Sequence, residues 1–381
     1  MAFHRASQAF IDLKAYRSNF QTVRSLLPQT VDILAVVKAD AYGHGAVPCA
    51  RAAIEAGAHC LGVAIVNEGI ELREHGLSSP ILVMGSFLPD DAEDMVRHDL
   101  EITLHTLAQA DAVENAARKQ NKLARVHIKI DSGMGRLGIE CGLAQSLFQR
   151  VIDSKCLKLS GLFTHLATAE WEDKDYARYQ LGQFETLIQS FREQYPQLPP
   201  VHCANSAATV NHSRSWFDMV RPGLIFYGAF SAPNLLPMVR ELTRKDDPIR
   251  PVMTWKCKIL QIKSTPKDAC LSYGITYKTP RDSRIAVIGV GYADGLHRLL
   301  SNKMEVLIHG RRVRQVGRVC MDMTLIDVTD LPEVGVGDEA VIFGRQGDAA
   351  ISVEETAGHC QSVAYELLCA VGQRVPRVYN A

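Results

Sequence analysis

Through the first part of the chain, short apolar runs alternate with longer stretches whose apolar residues recur at helical spacing. The runs are DILAVV (32–37), CLGVAIV (60–66), PILVMG (80–85), LEITLH (100–105), RVHIKID (125–131), KLSGLFTH (158–165), VHCAN (201–205) and MVRPGLIFYG (219–228). Between them lie segments such as LAQADAVENAARKQNK (107–122) and DYARYQLGQFETLIQSFREQY (175–195). In the latter, Tyr176, Tyr179, Phe184, Leu187, Ile188 and Phe191 mark the apolar face of a helix. Strands separated by helices pair in parallel through βαβ units. Eight such runs within about 230 residues predict a closed (β/α)8 barrel rather than an open doubly wound sheet.

Past Asn234 the texture changes. ELTRKDDPIRP (241–251) is polar and proline-bearing, which predicts a linker. TWKCKILQIKS (254–264), RIAVIGVGYAD (284–294), MEVLIHG (304–310), MTLIDVTD (323–330) and DEAVIFG (338–344) are short, alternating or β-branched runs with Gly- and Pro-rich breaks. They predict a second domain built mostly of β-strands, with one helical segment, SVEETAGHCQSVAYELLCAVG (352–372). The expected division is therefore 1–240 for the barrel and 241–381 for the β domain.

Composition narrows the function classes. The 42 basic and 42 acidic residues balance, and no basic patch stands out, which argues against a nucleic-acid or membrane-surface binder. No apolar run approaches membrane-spanning length, and MAFHRASQAFIDL has no long apolar core, so a cytoplasmic protein without a signal peptide is expected. The 10 cysteines include no C-x-x-C pair and the 13 histidines no H-E-x-x-H, so no metal site is expected.

The candidate chemistry begins at AVVKADAYGHG (35–45), where an apolar strand ends in Lys38. A lysine at a strand edge ordinarily snorkels to solvent. In a barrel, however, reactive side chains stand at the C-terminal strand ends, where Asp131, His165, Asn205 with Ser206, and Arg221 also fall. A partly desolvated lysine among cations can lose its proton and trap a carbonyl as a Schiff base. NSAAT (205–209) and RPGL (221–224) supply a hydroxyl and free amides near the last two strands, where barrels commonly bind phosphate.

Taken in order, KADAYGHG, HIKIDSGMGRLGI (127–139), THLATAE (164–170), ANSAA (204–208), VRPGLIFYG (220–228), LSYGITY (271–277), GYADG (291–295), GRVCMDM (317–323) and AYELL (364–368) make the chain resemble the bacterial alanine racemases. The resemblance runs over nearly the whole sequence. It implies a pyridoxal 5'-phosphate enzyme with an N-terminal barrel and a C-terminal β domain, interconverting L- and D-alanine and supplying D-alanine for peptidoglycan.

The same resemblance assigns roles. Lys38 carries the cofactor as an internal aldimine and serves one face of the substrate Cα, while the cofactor acts as electron sink. Tyr42, Ser206, the Gly223 and Leu224 amides and Tyr365 hold its phosphate, and Asn205 belongs to the same motif. Arg221 faces the pyridine nitrogen and, being a donor only, keeps it unprotonated; His165 packs beside the ring and supports that arginine. Tyr273 is the second base, reaching the other subunit's barrel, so a homodimer with shared sites is expected. Arg136 hydrogen-bonds this phenol and neighbours the substrate carboxylate, which the Met321 amide also binds. Lys129 matches a lysine carbamylated in some members, and Tyr292 lines the entrance. One departure is visible: Leu296 and His297 follow GYADG where the family often has an aromatic residue, which bears on the shape of the entrance.

Other readings stay open at this point. One is a broad-specificity or serine-preferring racemase. A second is a decarboxylase on the same barrel, whose C-terminal cysteine and acidic motifs are not found here. A third is a single-barrel pyridoxal-phosphate homeostasis protein, which has no second domain.

Overall fold

The computed structural model describes residues 6–380. The first five residues, read above as part of a leaderless start, and Ala381 lie outside the described residues.

Each of the eight predicted runs holds a strand: Asp32–Val36, Cys60–Val63, Ile81–Val83, Glu101–Leu104, Ala124–Asp131, Leu157–Phe163, Val201–His202 and Met219–Val220. They pair in that order, all parallel, and Met219–Val220 closes the ring on Asp32–Val36. Helices cover the outside, so the strands are buried on both faces and read as nearly unbroken apolar runs. The last run is the shortest as a strand. Pro222 has no amide for the ladder, and the chain turns into the 3-10 segment Leu224–Tyr227.

The helix Asp175–Gln194 buries Ala177, Leu181, Phe184, Ile188 and Phe191. Tyr176 and Tyr179, placed on the same face by their spacing, are instead exposed. Tyr176 Oη donates to the Gly133 carbonyl at 2.6 Å, which fastens this helix to the loop after Ala124–Asp131.

The second domain is a closed sheet too. Met253–Thr265 is long enough to pair antiparallel with both Ser283–Ile288 and Glu339–Gln346, and Thr324–Asp327, Arg311–Val316 and Glu305–Ile308 complete the ring. Ser7–Asp12 belongs to this domain, although it precedes the barrel in sequence. It lies between Met253–Thr265 and Arg377–Asn380, burying Ala9 and Ile11 on one face as its alternating pattern requires. A helix, Leu235–Thr243, takes in the first residues of the predicted linker. The single predicted helix near the end is two, Val353–His359 and Ala364–Ala370, divided where Gln361 takes a φ of 57°. Among the described residues no helix is long and apolar enough to cross a membrane.

Candidate active site

A cavity of about 360 Å³ opens at the C-terminal ends of the barrel strands. Lys38, Tyr42, Lys129, Arg136, His165, Asn205, Ser206, Arg221, Gly223 and Tyr365 all line it. One short motif delivers both Lys38 and Tyr42.

After Val37 the chain makes a left-handed turn: Ala39, Asp40, Ala41 and Tyr42 have φ between 52° and 54°. Such a conformation costs an L-residue about 1–2 kcal/mol, so the surroundings must hold it. The Glu68 carboxylate accepts the Ala39 amide at 2.6 Å and the Ala64 amide at 2.7 Å. Asp40 Oδ1 accepts the Ala46 amide at 2.6 Å, and His44 Nδ1 lies 3.0 Å from the Ala41 carbonyl and 2.9 Å from that of Tyr42. Gly43 then passes so close to the Leu368 carbonyl that a Cβ would collide with it, at a φ of 79°.

Four cationic side chains face the cavity, and no carboxylate lines it among the described residues. Burial, and after it Arg136, holds the Lys38 amine below the ordinary lysine range, with Glu68 pulling the other way. Lys129 is pushed down to about 8 by burial and by Arg221, Arg136 and Lys38. Arg136 is delivered by a glycine-rich loop folded over Asp131. That carboxylate accepts the Gly133 amide at 2.9 Å and the Gly135 amide at 3.0 Å. Burial pushes Asp131 upward, but these backbone donors outweigh it and hold the carboxyl below its usual range.

On one side the cavity has hydroxyls and amides. Ser206 Oγ accepts the Gly223 amide at 2.9 Å, and a Cβ on Gly223 would collide with Tyr42 Oη. Tyr42 and Tyr365 pack with ring centroids 5.9 Å apart. Burial pushes the Tyr42 phenol well up and Tyr365 to about 12, so both remain donors at neutral pH. Asn205 serves the local fold, since its side chain caps the short helix Ser206–Asn211 by accepting the Ala208 amide at 2.9 Å. Leu224 is buried just beyond the lining.

On the other side Arg221 is fixed by several acceptors. Its Nη2 donates to the carbonyls of Thr164 at 2.8 Å and Cys203 at 3.2 Å, with His165 Nδ1 at 3.5 Å; its Nη1 donates to His202 Nδ1 at 2.9 Å. Its guanidinium and the Lys129 amine both lie over the Phe163 ring, at 5.0 and 5.6 Å from the centroid. Burial and the Arg221 charge hold His165 well below the usual imidazole range, which keeps it neutral.

Tyr273, Tyr292 and Met321 do not line this cavity within one chain. All three stand on the surface of the second domain, 71%, 43% and 52% exposed. They are neighbours there: the Tyr292 amide donates to the Cys320 carbonyl and the Ala293 amide to that of Met321, both at 3.0 Å, while Ser272 Oγ donates to the Arg318 carbonyl at 2.7 Å. Of the two residues at the sequence departure, Leu296 is only 1% exposed and packs in the core, while His297 is half-buried. Glu68, Phe163 and His202 were not singled out from the sequence. Only His202 carried a signal, a polar side chain at an inward position of an apolar strand, in VHCAN.

Two family models match the chain: the alanine racemase N-terminal domain over residues 11–231 and the alanine racemase C-terminal domain over 252–379. The chain is 42% identical to an alanine racemase of Halothermothrix orenii, over 99% of this chain and 97% of that one. The chain belongs to the alanine racemase family. Its reaction is the isomerisation of an amino acid, the interconversion of the alanine enantiomers. Solved alanine racemases have the same fold: that of Streptomyces lavendulae superposes with a TM-score of 0.92 at 34% identity, covering 99% of this chain and 97% of its own. The Bacillus anthracis alanine racemase, solved with bound L-Ala-P, also reaches 0.92 at 34% identity, covering 100% of this chain and 96% of its own. The C-terminal match separates this alanine racemase from single-barrel relatives.

Proposed function

We propose that this alanine racemase holds pyridoxal 5'-phosphate on Lys38 and works as a homodimer in which each cavity is completed by Tyr273 of the partner chain. The observation that carries this reading is the charge of the cavity: Lys38, Lys129, Arg136 and Arg221 converge with no opposing carboxylate among the described lining residues. Such a pocket suits a ligand bearing a phosphate and a substrate bearing a carboxylate. The donor set fits the phosphate, since Tyr42, Tyr365, Ser206 and the Gly223 backbone meet on one side, and Gly223 lets the chain pass Tyr42 closely.

When bound, the cofactor withdraws electrons from the substrate Cα, which makes its proton removable. The protein's own groups then decide the stereochemistry. Lys38, whose amine burial and Arg136 hold below the ordinary lysine range, takes or returns the proton on one face. Tyr273 serves the opposite face; a free phenol titrates near pH 10, so it needs the Arg136 cation beside it to act near neutrality. The assigned preferences are the D-enantiomer for Lys38 and the L-enantiomer for Tyr273. Arg221, a donor only, leaves the ring nitrogen without a proton and so restrains electron withdrawal. Arg136 and the Met321 amide bind the substrate carboxylate, and Tyr292 lines its path.

Tyr273 is 71% exposed in a single chain and sits on a domain other than the one that carries Lys38, which supports a site assembled across two chains. The cysteines at 49, 60, 203, 257 and 360 are free and buried, which suits a reducing cytoplasm. There the enzyme would supply D-alanine for peptidoglycan. Borohydride reduction of the purified enzyme followed by peptide mapping tests the cofactor assignment. A pyridoxyl label on Lys38 is expected, and a label on any other lysine overturns it.

A further inference from the structure

A polar file crosses the barrel interior beneath Arg221. Arg221 Nη1 lies 2.9 Å from His202 Nδ1, His202 Nε2 lies 3.1 Å from His127 Nδ1, and His127 Nε2 lies 2.9 Å from Glu101 Oε2. Register accounts for the spacing. His202 pairs with Phe163, whose other neighbour is Lys129; His127 stands two residues before Lys129; and Glu101 stands two residues before Thr103, the partner of His127. Glu101 opens its strand, so the file runs from the catalytic rim to the opposite end of the barrel.

The ends of the file determine every proton along it. A guanidinium has no acceptor, so His202 Nδ1 must accept and its proton must sit on Nε2. His127 Nδ1 must then accept that proton, which leaves His127 protonated at Nε2 alone, donating to Glu101. A second proton on either ring would set two donors against each other. The interior makes specific room for this arrangement: a Cβ on Gly161 would collide with His127 Nδ1, and Phe163 stacks on His202 at 4.8 Å with 9° between the planes. At the far end Arg125 Nε donates to Glu101 Oε1 at 3.1 Å.

We propose that Glu101, His127 and His202 are positioning residues, forming a one-way hydrogen-bond file that fixes the guanidinium of Arg221 from the opposite end of the barrel. Its service to the cofactor rests on the placement of Arg221 against the ring nitrogen given above; the file itself does not. Burial and Arg221 hold His202 well below the usual imidazole range, in keeping with a neutral ring. For Glu101, burial works upward, but the His127 and Arg125 contacts outweigh it and keep the carboxylate ionised.

The test is nitrogen NMR of the cofactor-free protein labelled with ¹⁵N-histidine. A scalar coupling across the His202–His127 bond identifies the pair without a variant, and both rings are expected as neutral Nε2–H tautomers. Glu101→Leu, which removes the terminal acceptor, should abolish the coupling; Glu101→Gln, whose carbonyl still accepts from His127, should retain it. An imidazolium or an Nδ1–H tautomer at either ring overturns the proposal, as does an unchanged coupling in Glu101→Leu. The absorption of bound pyridoxal phosphate should shift in Glu101→Leu and not in Glu101→Gln. Tautomers as expected with that absorption unmoved would overturn the placement of Arg221 against the cofactor, not the file.

Discussion

The carboxylate of Glu68 accepts the backbone amide of Ala39 at 2.6 Å, so the residue that follows Lys38 is tied to the first turn of the helix Val66–Glu74. One side chain thereby steadies a turn of four left-handed residues and aims the lysine that begins it.

Glu68→Gln keeps the shape of this clamp but turns an amide NH2 toward backbone donors. Losing a charge-assisted hydrogen bond costs about 1.5–3 kcal/mol, and small misplacement of a reacting group costs up to about 100-fold in rate. The variant should melt at a lower temperature and lose about 10- to 100-fold in kcat, measured by racemisation of L-alanine beside a thermal melt. Wild-type kcat in this variant would mean that Lys38 is aimed by something else.

Gly223→Ala should weaken the hold on pyridoxal phosphate. The added methyl collides with Tyr42 Oη, and overpacking of this kind costs about 1–3 kcal/mol. That corresponds to cofactor retention about 10- to 100-fold weaker, read by titrating the cofactor-free variant and following absorbance.

Much of this site was legible in the sequence because the barrel collects its strand ends on one rim. Once the eight runs were read as parallel strands, Lys38, His165, Asn205, Ser206 and Arg221 had to gather there. Asp131, read at the same rim, does not line the cavity, and Lys129 was named only by the family resemblance. Glu68 was not legible, since it acts on backbone amides in a turn whose left-handed shape no periodicity announces. Ser7–Asp12 was missed because its pairing partners lie more than 200 residues away. Arg311–Val316 was missed because three arginines hide the buried Val313 and Val316. Tyr176 and Tyr179 followed the helical period but not the burial, because the barrel covers a narrower stripe than their spacing suggests.

Lys129 carries a pH signature. Its pKa in the folded protein, about 8, lies below the ordinary 10.5, so between those values the unfolded chain binds more protons and stability rises with pH. In CO2-free buffer the stability advantage of Lys129→Met over the native enzyme should therefore shrink as pH climbs from about 8 to about 10. A constant advantage would show that the Lys129 amine is not held below the ordinary lysine range. The same neutral amine can add CO2, so ¹³C-bicarbonate should give a carbamate signal that disappears in Lys129→Met.

The whole reading stands on one active site drawing Lys38 from one chain and Tyr273 from its partner. Lys38→Ala and Tyr273→Phe should each be inactive alone. Mixed under conditions where subunits exchange, they should recover activity, because one of the two sites in a mixed dimer holds both native residues, to a ceiling of about half the native rate per mixed dimer. If exchange is verified by mass and no activity returns, Tyr273 serves its own chain and the shared site is contradicted.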